Sequence, residues 1–159
     1  MVTQAAAVRS PHRGCETEAF LGDPPTCTPT RSRPGGGTGA VRVLIIEDNK
    51  DVAGTLQMFL DLLGYDARVA YDGETGVRLA TAWPPDAIVC DIGLPGLSGY
   101  EVARALRADP ATAHARLIAV TAYGSDQDRR RAAASGFAVH LTKPADPEAL
   151  LLALPQATR

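Results

Sequence analysis

An α/β fold with one doubly wound, five-stranded parallel sheet is what the sequence predicts between residues 41 and 156. Three observations lead there. Five short apolar runs alternate with five amphipathic stretches, and alternation of this kind implies right-handed βαβ crossovers. The first run, Val41 to Ile46, is almost continuously β-branched, which suits a strand buried on both faces. The polar residues that call for an explanation fall at the ends of these runs.

The elements follow in order. After Val41–Ile46 comes Glu47-Asp48-Asn49, where Asp48 or Asn49 can cap a helix. That helix carries Val52, Leu56, Phe59, Leu60 and Leu63 at spacings of three and four, and Gly64 ends it. Tyr65 to Ala70 reads as the second strand. Gly73 to Trp83 reads as the second helix, stopped by Pro84-Pro85. Ala87 to Cys90 is the third strand and runs into Asp91. A Pro- and Gly-rich loop leads to a helix from Tyr100 to Ala108, with Val102, Ala105 and Leu106 expected inward. Leu117 to Val120 is the fourth strand and ends at Thr121. Ser125 caps a polar helix to Ser135. Ala138 to Leu141 is the fifth strand, followed by Thr142-Lys143-Pro144, and Asp146 starts a last helix containing Leu150, Leu151 and Leu154.

Residues 1–40 differ in kind. They are rich in Pro, Gly and Arg without hydrophobic periodicity, and read as a disordered tail unable to offset its own ordering entropy. The chain is 45% hydrophobic and 21% charged with a net charge of −2, so no electrostatic footprint for nucleic acid or an anionic membrane is expected. No apolar run nears the roughly 18–20 residues of a membrane span, and a cytoplasmic location is expected. The three cysteines, Cys15, Cys27 and Cys90, do not make a disulfide framework; Cys90 reads as a small buried hydrophobe. His114 and Trp83 read as surface and core fillers, and Arg129-Arg130-Arg131 as a solvated helix face.

In a parallel sheet the ends of the strands lie on one edge, and ligands bind beyond that edge where the strand order reverses. With order 2-1-3-4-5, strands one and three flank the reversal, so Glu47 and Asp48 become neighbours of Asp91. Three carboxylates so close repel one another unless a cation joins them. A hard cation with oxygen ligands, Mg²⁺ or Mn²⁺, is the simplest solution, with Asp48 and Asp91 as direct ligands, Glu47 through water and the Gly93 carbonyl as a further ligand. Thr121 and Lys143 complete a place for a tetrahedral anion. Asp91 is then the nucleophile of an aspartyl-phosphate.

These residues resemble the receiver domain of two-component response regulators over about residues 41–155. The resemblance rests on Glu47-Asp48, on Asp91 with Pro95 and Gly99 downstream, on Thr121-Ala122 and on Lys143-Pro144. Asp48, Asp91, Thr121 and Lys143 are separated in turn by 43, 30 and 22 residues, spacings that fit the family. It implies a flavodoxin-like sheet and a phosphorelay role. A sensor histidine kinase or histidine phosphotransfer protein would donate to Asp91. Thr121 would turn toward the phosphate, and small Ala122 would leave it accessible. Lys143-Pro144 would carry a cis peptide bond. His140 stands where the family usually has an aromatic switch residue. The loop Gly93-Leu94-Pro95-Gly96 and the end His140 to Pro144 resemble the receivers of hybrid sensor kinases. Only a few residues follow the last helix, so signalling to an unknown protein target through surface contacts is expected.

Two other classes share the sheet order or the aspartate nucleophile but need residues that differ here. A flavin carrier of the same sheet order needs a glycine- and hydroxyl-rich loop where this chain has Glu47-Asp48-Asn49. A phosphatase of the haloacid dehalogenase type needs a second acid where this chain has Gly93. The expectation is therefore a signalling module with self-phosphorylation and autodephosphorylation chemistry, not an enzyme acting on external substrates.

Overall fold

The computed structural model describes residues 39–156, so most of the predicted tail lies outside the described residues. Within them, five strands alternate with five helices: β1 (Arg42–Ile46), α1 (Lys50–Leu62), β2 (Asp66–Ala70), α2 (Gly73–Ala82), β3 (Ala87–Asp91), α3 (Gly99–Ala108), β4 (Arg116–Thr121), α4 (Asp126–Ser135), β5 (Val139–Thr142) and α5 (Pro147–Ala153). The strands are all parallel and ordered β2-β1-β3-β4-β5. Among the described residues no helix is long and apolar enough to cross a membrane.

The period-2 alternation of a strand divides each apolar run between two cores. Leu44, Ile46, Ile88, Cys90, Leu117 and Ala119 point to one face and pack with Ala80 of α2, Val102 and Leu106 of α3, and Ala132 of α4. Val43, Ile45, Val89, Ile118 and Val120 point to the other and pack with Ala53 and Leu60 of α1 and Leu150 of α5. Each fully buried large aliphatic side chain contributes about 1.5–3 kcal/mol. Losing either layer of helices would expose half of every strand.

Local chemistry sets the helix ends. Asn49 caps α1 by accepting from the backbone N–H groups of Asp51 and Val52. Asp72, Ser125 and Asp146 cap α2, α4 and α5 in the same way. Gly136 ends α4 at φ 104°, a left-handed conformation that favours glycine.

Three inward-facing assignments change. Val52 is 45% exposed while its neighbour Ala53 is fully buried, although Leu56, Phe59, Leu60 and Leu63 face the core as read, so only the first turn of α1 departs from the stripe. Ala103, rather than Ala105, joins Val102 and Leu106 in the core. Trp83 is only half-buried, with the guanidinium of Arg68 4.2 Å and that of Arg42 5.5 Å from its ring centre. Cation–π stacking holds it at the rim of the fold. Cys90 is buried as expected, and burial, with the charges of Asp91 and Glu47, pushes its thiol far above the ordinary value. His114 is exposed.

Candidate functional site

The carboxyl edge of the sheet gathers the polar ends of four strands. Glu47 follows β1, Asp91 closes β3, Thr121 closes β4 and Lys143 follows β5. The reversal between β1 and β3 opens this edge because the crossovers leave in opposite directions, α1 to one face and α2 and α3 to the other. Glu47, Asp91 and Thr121 are buried, at 5%, 8% and 2% exposure, while Asp48 is exposed.

Each of these groups is fixed by backbone. Glu47 donates its N–H to Ala70 and accepts at Oε1 from the N–H of Asn49. Asp91 Oδ1 accepts from the N–H of Gly93 at 2.9 Å. The loop after Asp91 folds back so closely that a Cβ on Gly99 would collide with the Asp91 carbonyl, so only glycine fits there. Thr121 accepts at Oγ1 from the N–H of Tyr123 and at its carbonyl from the N–H of Lys143. Its hydroxyl proton remains available to donate. The Lys143-Pro144 bond is cis.

Lys143 ties the acidic residues together. Its Nζ donates to Asp91 Oδ2 at 2.7 Å and to Glu47 Oε2 at 2.8 Å. Burial is the largest single influence on the ammonium and would lower its pKa, but the bonds and charges of Asp91 and Glu47 together outweigh it, so the net shift is upward. Carboxylate oxygens of Glu47, Asp48 and Asp91 all lie within 4.8 Å of one another. Such an all-oxygen, anionic donor set fits a small hard divalent cation. On the side of Gly93, a Cβ would sit 3.6 and 3.9 Å from the two Asp91 oxygens, so glycine leaves that flank of the carboxylate open.

Glu47, Asp48, Asp91 and Lys143 therefore come together; Gly93 meets Asp91 through its N–H, and Thr121 closes the neighbouring strand with exposed Ala122 after it. His140 lies on β5, opposite Ala119, on the face covered by α4. Both of its ring nitrogens are buried and have no hydrogen-bond partner among the described residues. Burial, then the charge of Arg129, lowers its pKa, with Asp128 opposing. Arg129, Arg130 and Arg131 are all exposed as expected, and the guanidinium of Arg131 also lies 4.2 Å from the ring centre of Tyr100, linking α4 to α3. Sequence reasoning missed the double bridge made by Lys143 and the part of Asp51 and Ala145 in lining the space beside it. No local pattern signals contacts across 52 and 96 residues.

Comparison with known proteins covers the same part of the chain. The family model described as the response regulator receiver domain matches residues 43–155. The chain is 38% identical over 110 residues to the DNA-binding dual master transcriptional regulator RpaA of Synechocystis, covering 69% of this chain and 46% of that protein. It is 34% identical over 110 residues to the protein PilH of Pseudomonas aeruginosa, covering 69% and 91%. The chain thus spans less than half of RpaA but nearly all of PilH. Among solved structures, the receiver domain of the sensor histidine kinase PA1611 of Pseudomonas aeruginosa aligns with a TM-score of 0.66 and 32% identity, over 72% of this chain and 93% of that one. That structure holds a magnesium ion in its active site cleft.

Proposed function

The chain belongs to the response regulator receiver family of two-component signalling, and on that premise we propose that Asp91 accepts a phosphoryl group from the phosphohistidine of a sensor histidine kinase or a histidine phosphotransfer protein. The observation that carries this reading is the Lys143 ammonium, held 2.7 Å from Asp91 and 2.8 Å from Glu47 in an acidic cluster on the carboxyl edge of the sheet.

The proposed step is a displacement at phosphorus. An oxygen of Asp91 attacks in line with the N–P bond of the donor; the O–P bond forms, the N–P bond breaks, and the donor imidazole leaves with the electron pair and takes up a proton. Lys143 stays beside the phosphoryl oxygens and offsets their charge. The Thr121 hydroxyl donates to one of them, and Ala122 and Gly93 leave the group open to its donor. Glu47, Asp48, Asp91 and the carbonyl of Gly93 would hold Mg²⁺ (or Mn²⁺), which when bound supplies charge neutralisation on the transferring group. Attack of water on the same phosphorus returns Asp91 and releases inorganic phosphate. His140 is the candidate that relays the state of Thr121 to the α4 face. The output is contact with a protein target in the cytoplasm, without nucleic acid or membrane.

Incubation with acetyl phosphate or phosphoramidate and Mg²⁺ should add one phosphoryl group, read by intact-protein mass spectrometry. Asp91→Asn and chelation of the metal should each abolish the adduct. An adduct that survives Asp91→Asn overturns the assignment.

A further inference from the structure

An apolar groove leads away from the acidic cluster. It encloses about 840 Å³ between α1 and the segment that carries Lys143 into α5, a volume within the range of small-molecule sites. Val52, Leu56 and Phe59 of α1 form one wall, and Pro144, Ala145 and Leu150 form the other. Val89 and Val120 of the sheet form its floor. The groove lies between the first turns of the two helices, since its lining ends at Phe59 in α1 and at Leu150 in α5. The residue that follows Lys143-Pro144 is Ala145, whose methyl group fills little of the space.

The charge at the head of the groove is one-sided. Glu47, Asp51 and Asp91 line it against the single ammonium of Lys143, which is already bonded to two of the three. An organic anion meets an excess of negative charge there, whereas a cation complements it. We propose that the groove is a binding site for a small organic cation, a protonated amine on an apolar body. The amine faces Glu47, Asp51 and Asp91, and the body lies between α1 and α5. A divalent ion on Glu47, Asp48 and Asp91 neutralises two of the same carboxylates. Amine and metal therefore oppose each other, and by linkage each weakens the other by the same factor. Such a ligand would hold back metal-dependent acceptance of a phosphoryl group at Asp91.

The test uses 1-naphthylmethylamine as the probe and 1-naphthaleneacetate as its anionic counterpart, titrated into the ¹⁵N-labelled full chain and followed by NMR. The amine should shift the amide signals of Val52, Leu56, Ala145 and Leu150, and saturating Mg²⁺ should weaken it about tenfold. The acetate should bind far more weakly. Ala145→Phe should fill the groove and remove amine binding while the Mg²⁺ titration is unchanged. Asp51→Asn, on the exposed first turn of α1, should weaken the amine about two- to fivefold, the size of an exposed ion pair; this variant carries the test if Ala145→Phe does not fold. Equal binding of amine and acetate, indifference to Mg²⁺, or an unchanged affinity in Asp51→Asn overturns the proposal. None of these outcomes depends on phosphorylation of Asp91, which the mass measurement reads separately.

Discussion

Replacing Lys143 by Met removes the only positive charge bonded, among the described residues, to both buried carboxylates Glu47 and Asp91. Glu47 and Asp91 are 5% and 8% exposed, and both depend on the same ammonium, at 2.8 and 2.7 Å. Breaking a buried ion pair by deleting one partner costs about 3–5 kcal/mol. The Lys143 side chain is itself 31% exposed, so solvent screens part of the interaction and the expected loss is about 2–3 kcal/mol. For a domain of this size that lowers the thermal midpoint by roughly 10 °C. Urea denaturation near neutral pH, in buffer free of divalent metal, measures it. The pH dependence gives a second reading. The folded-state pKa of Lys143 is raised above its ordinary 10.5. The contribution is therefore fully present below that value and disappears as pH rises through the folded pKa. The gap between wild type and Lys143→Met should hold from neutral pH to about 10.5 and close above it. Mg²⁺ should stabilise the variant more than the wild type, because its carboxylates have lost their competing partner; binding at ten times Kd contributes about 1.4 kcal/mol. A gap below about 0.5 kcal/mol, the size of an ordinary surface substitution, or one that widens above the lysine pKa, would refute the role given to the ammonium.

Two further outcomes follow from groups outside the acidic cluster. His140→Phe removes two buried nitrogens that lack partners among the described residues and should raise stability by about 1 kcal/mol in the same denaturation assay. The folded pKa of His140 is lowered from 6.5, so the unfolded chain binds the proton more readily. Wild-type stability should then fall as pH drops below about 6.5, and His140→Phe should lack that part of the decline; a variant less stable than wild type at every pH overturns the reading. Arg107 donates to the carbonyls of Ala113, Ala115 and Gly136. Arg107→Met should cost about 2–3 kcal/mol and speed amide exchange first around Gly136, whereas unchanged exchange there would mean these bonds do not hold the α4–β5 turn.

The sequence by itself determined the elements and which of their ends carry chemistry. Continuous apolar runs such as Val43 to Ile46 mark strands covered on both faces, because period-2 alternation feeds each run into two cores. Asn49, Ser125 and Asp146 announce helix starts because their side chains satisfy the first free N–H groups, an interaction confined to a few residues. Once Glu47-Asp48, Asp91, Thr121 and Lys143 are known to end parallel strands, their meeting on one edge follows from topology. What the residues do to one another there does not. Clustered carboxylates read from sequence imply repulsion; the fold instead sets an ammonium from 52 and 96 residues away between two of them. The burial of Ala53 in place of Val52, and the groove between the first turns of α1 and α5, are likewise decided by packing between distant elements. Local patterns record each residue's own backbone and near neighbours, whereas the balance of charge and space at a site is a sum over side chains that only the folded chain brings together.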